Sequence, residues 1–249
     1  MNDAPGVLKG RGILVTRPAH QADALCALIE AAGGTPLRFP VLEIHPAADP
    51  GIVRTGLTRL NDYDLAIFVS ATAGLHTLQA LAPRPWPPHV AIAAVGAATA
   101  RALAQRGLQV AHCPQREFTS EALLELPELQ RMQGKRVLIL RGDGGREHLR
   151  EALTARGAQV DYLEVYRRAQ PDIDPAPWLA RLAAGEIAAV LITSNESLRM
   201  LLAIVGTLGM TLLRDMPLIV GNARTRDLAR ELGFAGAVIV AADATDAAM

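Results

Sequence analysis

The chain has little cysteine: Cys26 and Cys113 are the two, with no CxxC partner and no His/Cys cluster beside either. They read as reduced thiols, buried or half-buried. It has no excess of charge, since 25 Lys and Arg face 25 Asp and Glu. No global field then favours nucleic acid or an anionic membrane, although local basic patches remain open. No apolar run approaches the roughly 20 residues that span a bilayer. The N-terminal Met1-Asn2-Asp3-Ala4-Pro5 lacks the basic-then-apolar pattern of a signal peptide. The expectation is a cytoplasmic protein that binds neither nucleic acid nor membrane.

Catalytic signatures are also scarce. The six histidines share no i,i+4 or H-x-H spacing, so no metal site is expected. There is no G-x-S-x-G elbow and no Ser/His/Asp order. The loop Arg141-Gly142-Asp143-Gly144-Gly145-Arg146 is neither G-x-G-x-x-G nor G-x-x-x-x-G-K-S/T. The pair Asp62 and Asp64 reads as solvated loop carboxylates. This disfavours hydrolysis and nucleotide chemistry, and favours a reaction that needs positioning more than a strong base.

What is present is a repeat. Ile13-Leu14-Val15-Thr16-Arg17 returns as Leu138-Ile139-Leu140-Arg141, with Arg17 and Arg141 offset by 124. Gly33 and Gly157, and Ser70 and Ser194, keep the same offset of 124. Val95-Gly96 returns as Val220-Gly221, and Gly107 as Gly233, with a drift of one or two residues. The shared register means two copies of one α/β unit, and hence two similar halves with an expected cleft, a favoured place for a small-molecule site.

Apolar residues make up 50% of the chain, enough for two cores. Strands are expected at 12–16, 36–44, 64–70, 90–95, 109–113, 136–141, 159–167, 188–193, 217–221 and 237–241. Helices are expected at 20–32, 51–60, 73–81, 97–106, 120–130, 145–156, 177–184, 196–206 and 223–232. Most strands are continuous in Val, Ile, Leu and Ala, as in parallel sheets covered on both faces. Strand–helix alternation of this length predicts parallel α/β sheets. Two segments depart from it. Residues 35–44 contain Pro36 and Pro40, and residues 160–168 alternate polar and apolar. Both read as exposed connections rather than sheet centres. The helix expected at 120–130 has no counterpart after Thr245-Asp246, so the second copy is expected to lack it.

Ligands of doubly wound sheets collect beyond the carboxyl ends of the strands. There stand Thr16-Arg17, Ser70-Ala71-Thr72, Gly96 to Thr99, Arg141 to Arg146, Thr193-Ser194 and Gly221-Asn222-Ala223-Arg224. Each group precedes a helix, whose free N–H groups and partial positive charge suit an anion rich in carboxylates or phosphates. Arg17, Arg141 and Arg146 add forked donors. Ser, Thr, Asn and Gly are also ordinary helix caps, so each position admits that plainer reading. Tyr166 stands where the first copy has Leu42. A phenol there can donate a proton, or it can simply pack on a strand.

The runs Ile13 to Pro18, Pro40 to Ile44, Phe68 to Ala73, Val95 to Ala100, Phe118 to Leu123, Arg141 to Arg146, Val160 to Arg168 and Thr193-Ser194 occur in an order that resembles the uroporphyrinogen-III synthase family. The resemblance implies two flavodoxin-like, doubly wound parallel-sheet domains joined by a two-stranded β-ladder. One domain would comprise 1–37 with 170–249, the other 44–162, and the ladder 38–43 with 163–169. It implies a cofactor-independent lyase, acting as a monomer, that cyclises hydroxymethylbilane to uroporphyrinogen III. Water leaves the ring A hydroxymethyl group, giving an azafulvene cation. Ring D attacks through its substituted carbon, and the spiro intermediate recloses with ring D inverted. The substrate carries eight carboxylates. Tyr166 matches the tyrosine that assists loss of the hydroxyl. Ser70, Thr99 and Ser194 match cleft hydroxyls, with Thr72 and Thr193 beside them, and Arg17, Arg141 and Arg146 lie in matching loops. At Gly221-Asn222-Ala223-Arg224 the family's hydroxyl is missing, and Asn222 or Arg224 stands in its place. A two-lobed binding or sensory protein for an anionic metabolite is the alternative.

Overall fold

A computed structural model describes residues 7–116, 118–145, 147–242 and 245–249. The strands and helices, in chain order, are β1 (Gly12–Val15), α1 (Asp23–Ala31), β2 (Thr35–Arg38), β3 (Glu43–Pro46), α2 (Pro50–Thr58), β4 (Leu65–Phe68), α3 (Ala71–Leu81), β5 (Ala91–Ala94), α4 (Ala97–Ala104) and α5 (Ser120–Leu124). There follow β6 (Arg136–Gly142), α6 (His148–Ala155), β7 (Gln159–Ala169), α7 (Ala176–Ala183), β8 (Ile187–Ile192), α8 (Asn195–Leu213), β9 (Leu218–Val220), α9 (Ala223–Glu231) and β10 (Val238–Val240). The fold is α/β, with one five-stranded sheet in the order β10-β9-β8-β1-β2 and another in the order β3-β7-β6-β4-β5.

The chain divides into two compact units. The first runs up to Glu43 and resumes at Ala169; the second is Ile44–Arg168. Each sheet is built from both copies of the repeat. β1 pairs in parallel with β8, Leu14 opposite Val190, and β6 pairs in parallel with β4, Leu138 opposite Ala66. These two registers are one register displaced by 124. The same displacement relates Leu14 opposite Leu37 to Leu138 opposite Asp161. The opening strand–helix–strand of each copy has therefore joined the later strands of the other.

The apolar runs form central strands because both their faces are covered. In the first unit Leu14, Val190 and Ile192 enter one core with Phe39, Leu198 and Leu228. Ile13, Val15, Ala189 and Leu191 enter the opposite one with Leu25, Cys26 and Ile29. In the second unit Ala66, Phe68, Leu138 and Leu140 face one side, and Leu65, Ile67, Val137 and Ile139 face the other. The αL positions at Gly33 and Gly157, with φ of 83° and 88°, let the chain turn out of α1 and α6.

Several expected elements differ, each for a local reason. The strand expected at 36–44 is two: residues 39–42 leave the regular ladder, where Phe39 and Val41 still donate to the Val15 and Thr16 carbonyls but Pro40 has no N–H to offer. The pairing in this region belongs to β3 at the edge beside β7, while residues 163–169 are the second half of β7. Residues 109–113 contribute a single bridge, His112 to Ala93. The helix expected at 120–130 stops at Leu124 and gives way to a 3-10 turn opened by Pro127. The helix expected to end at 206 continues to Leu213, interrupted where Gly206 takes φ 63°, ψ −162°. That merged helix, 19 residues of mean hydropathy 1.4, is long and apolar enough to cross a membrane. Here it buries Leu198, Leu201, Val205 and Leu213 in the first unit's core.

Asp64, expected to be merely solvated, is a strand clamp. Its carboxylate accepts from the Arg136 N–H at 2.8 Å and from Lys135 Nζ at 2.9 Å, tying the entry of β4 to that of β6. The Arg136 N–H, and then Lys135, hold this carboxyl below the usual aspartate range. A depressed folded pKa stabilises above the unfolded value, about 4, and that contribution is lost as the pH falls through the folded value. Wild type should therefore exceed Asp64→Ala in urea midpoint at pH 7, with the gap closing as the pH drops below about 4. A gap that persists undiminished in acid would refute the clamp. Leu14→Ala, at a side chain 1% exposed, should cost about 2–5 kcal/mol in urea unfolding.

Candidate functional site

A sheet ordered 2-1-3-4-5 reverses direction between its first and third strands, and its crevice opens there at the carboxyl ends. In the second unit this point lies between β6 and β4. In the first it lies between β1 and β8.

Tyr166 of β7 reaches the second unit's switch point and is 3% exposed. A register shift after Arg141 sets Gly142 opposite it. The ring lies so close to this strand that a Cβ on Gly142 would stand 2.5 Å from Cζ of the phenol. Only glycine leaves that space. The His76 ring stacks on Tyr166 at 5.7 Å between centroids and 29° between planes. Arg168 Nη2 donates to the phenol oxygen at 2.8 Å, and Ser70 Oγ lies 3.4 Å from it. Ser70 is also the cap of α3, accepting from the Ala73 N–H at 3.0 Å. Its extended backbone, with φ −157°, frees the hydroxyl to turn back on the helix. Thr72 is half-buried in the first turn of the same helix, and Thr99 is 6% exposed in the first turn of α4.

Arg141 ends β6 with its side chain 9% exposed. It is already paired, with Glu147 at 3.2 Å and Glu164 at 3.5 Å, and its guanidinium lies 4.0 Å from the Tyr162 ring centroid. A cavity of about 120 Å³ beside it is lined in part by Val69, Gly142, Tyr162 and Arg168. The buried Arg141 Nε makes no hydrogen bond to the described residues. Burial pushes the Tyr162 phenol up, with the Glu147 charge adding to it. Arg146 lies outside the described residues.

The first unit repeats part of this layout. Thr16 Oγ1 donates to the Leu191 carbonyl at 2.6 Å, locking the end of β1 to β8. Arg17 follows and pairs with Asp246 at 2.8 Å. Thr193 is half-buried after β8, and Ser194 caps α8 by accepting from the Ser197 N–H at 3.1 Å. Asn222 caps α9, accepting the Thr225 N–H at 3.0 Å. Thr225 Oγ1 also donates to Asn195 Oδ1 at 2.7 Å, so the starts of α8 and α9 share one polar network. Arg224, the other candidate at this corner, is exposed.

A family model described as Uroporphyrinogen-III synthase HemD matches residues 23–249. The uroporphyrinogen-III synthase of Escherichia coli (strain K12) is 37% identical over 225 residues, 89% of this chain and 92% of that one. The chain belongs to the uroporphyrinogen-III synthase family. The enzyme of Salmonella typhimurium is 38% identical over 227 residues, again covering 89% of this chain and 92% of the relative. Two solved structures share the fold. A mutant uroporphyrinogen III synthase of Thermus thermophilus matches with TM-score 0.67 at 22% identity over 93% of each chain. The Helicobacter pylori 26695 protein matches with TM-score 0.58 at 16% identity over 94% of each. The activity of a uroporphyrinogen-III synthase is the cyclisation of hydroxymethylbilane, a lyase step of haem biosynthesis that needs no cofactor.

Of the expected site residues, the structure brings Tyr166 and Ser70 together and places Ser194 and Asn222 as caps of α8 and α9. Thr72 and Thr99 stand on separate helices, α3 and α4. Arg168, His76 and Thr225 escaped the sequence reading. For Arg168 a signal existed. Its repeat counterpart is Ile44, the same kind of asymmetry as Tyr166 with Leu42, and strand residues two apart share a face. The seating of the phenol on Gly142 has a direct consequence. Gly142→Ala should destabilise the fold by about 1–3 kcal/mol through overpacking, and should slow formation of uroporphyrinogen III. Wild-type stability and rate together would show that the ring does not occupy this position.

Proposed function

We propose that Tyr166 is the acid that assists departure of the ring A hydroxyl of hydroxymethylbilane. The support is its position: a phenol at a sheet switch point, immobilised between Gly142 and His76, with hydroxyl and guanidinium groups at its oxygen. In the proposed step the carbon–oxygen bond of the hydroxymethyl group breaks, the phenol proton completes a water molecule, and the ring A nitrogen supplies the electron pair that forms the azafulvene. Ring D then attacks through its substituted carbon. The proton released when ring D finally recovers its aromaticity restores the phenol. Orienting a flexible tetrapyrrole so that this route outruns simple closure is catalysis by positioning and by stabilisation of a cation.

The carboxylates of the substrate are proposed to bind free N–H groups and hydroxyls at helix starts. In the second unit these are Ser70, Thr72 and Thr99. In the first they are Thr193, Ser194 and Asn222, with Thr225 supporting Asn222. Arg17, Arg141 and Arg146 are proposed to take carboxylates as well. For Arg17 and Arg141 a substrate carboxylate would replace one from the chain itself, Asp246 or Glu147 and Glu164. The protein is further proposed to act as a cytoplasmic monomer without nucleic-acid or membrane partners, consistent with its balanced charge.

The test is to supply hydroxymethylbilane and resolve isomers I and III of the product. Isomer III should form faster than isomer I arises spontaneously. Tyr166→Phe should lower kcat for isomer III by roughly 100-fold without abolishing it, the lower end of the range expected for loss of one proton donor. Full retention of kcat would remove the proposed role of the phenol.

A further inference from the structure

We infer that Arg168 is a positioning residue for the Tyr166 proton, a role that rests on Tyr166 being the donor. A guanidinium has only donors, so the Arg168 Nη2 contact at 2.8 Å occupies a lone pair of the phenol oxygen. The phenol hydrogen must then point elsewhere. Ser70 Oγ, at 3.4 Å, is too distant to hold it firmly. The O–H is thereby left to a ligand hydroxyl. As the proton passes to the departing oxygen, negative charge grows on Oη, and the adjacent guanidinium stabilises it without having to move.

Arg168 is itself fixed. Its Nη1 donates to the Asp143 carbonyl at 3.1 Å, and its backbone N–H donates to Asp143 Oδ1 at 2.8 Å. The Asp143 N–H in turn donates to the Tyr166 carbonyl at 2.9 Å. The turn after β6 therefore holds both ends of the Tyr166–Arg168 couple. The repeat supplies an independent pointer. Tyr166 and Arg168 replace Leu42 and Ile44 of the other copy together, while Ser70 and Arg141 keep their counterparts Ser194 and Arg17. A strand anchor would serve either copy equally; a proton-orienting pair is needed only where the bond breaks.

The experiment is a double-mutant cycle on the full chain with hydroxymethylbilane, reading isomer III under saturation and at low substrate. Arg168→Gln should lower kcat roughly tenfold with KM changed less than about twofold, the pattern of an interaction realised in the transition state. In the Tyr166→Phe background the same substitution should cost less than about twofold, because there is no proton left to orient. Arg168→Lys should recover part of the kcat. It also carries the same cycle should Arg168→Gln fail to fold. If Tyr166→Phe slows turnover but the Arg168 variants lose the same factor in both backgrounds, or change KM alone, Arg168 is a loop anchor and this inference falls by itself. If Tyr166→Phe keeps full kcat, the role of Tyr166 falls and this one with it.

Discussion

The rest of the structure depends on the pairing of β1 with β8 and of β6 with β4. Each joins the opening strand of one repeat to the third strand of the other, in a single register shared by both sheets. This pairing creates both switch points. It brings Arg17 to the end of the strand beside Thr193 and Ser194, and Arg141 to the end of the strand beside Ser70. Residues more than 70 positions apart in the chain thus become neighbours at each sheet's carboxyl edge. It also obliges the chain to pass from one unit to the other twice, after Glu43 and after Arg168. The second passage falls immediately after Arg168, so the proposed chemistry stands at a place where the fold is bound to change units.

The central strands and their apolar character were legible because a strand covered on both faces must be apolar throughout; residues 109–113, at the margin of a sheet, were not and form a single bridge. The choice of partner was not. Leu65–Phe68 and Ala189–Ile192 have the same character, and nothing in their side chains tells β1 which to prefer; a constant offset is satisfied by either pairing. The resemblance to a family, not the periodicity, pointed to the exchange. The errors lie where a proline or a single glycine outweighs a hydrophobic pattern: Pro40 splits one expected strand, Pro127 ends an expected helix, and Gly206 bends one that continues. At the site, positions were legible and partnerships were not. A cap such as Ser70 or Asn222 can be recognised from the helix that follows it. The contacts between Tyr166 and Ser70, or Asn195 and Thr225, depend on strands and helix starts brought together only by the fold.

The two repeat-related arginines show what an enclosed charge requires. Arg17 and Arg141 occupy corresponding strand ends, and each is paired with carboxylates of the chain, with Asp246 in one case and with Glu147 and Glu164 in the other. A largely buried guanidinium without a carboxylate would be costly. With one in place, the proposed substrate carboxylate would only have to exchange for another of similar strength, the desolvation of the arginine having been met before any ligand arrives. Under the proposed binding mode such a site discriminates by geometry: affinity comes from how many exchanges the carboxylates of one ligand can make at once.

Duplication also explains where the asymmetry falls. Helix starts, cap hydroxyls and strand-end arginines recur with the repeat, and in the proposed function a substrate with carboxylates along its length uses the same kind of contact many times. Loss of a single hydroxyl happens once. A second tyrosine–arginine couple would have no bond to break, and at positions 42 and 44 the first copy instead has Leu42, which is buried, and Ile44, which is half-buried against the second unit's core. The energetic rule that fills the ordinary positions with apolar side chains therefore makes Tyr166 and Arg168 conspicuous. They are tolerated in the second unit because Asp143, Gly142 and His76 satisfy and seat them. Those three residues correspond to Ala19, Pro18 and Met200 in the other copy, none of which can do so. The couple and its support differ between the copies as a set, which is what a single chemical task built on a doubled frame requires.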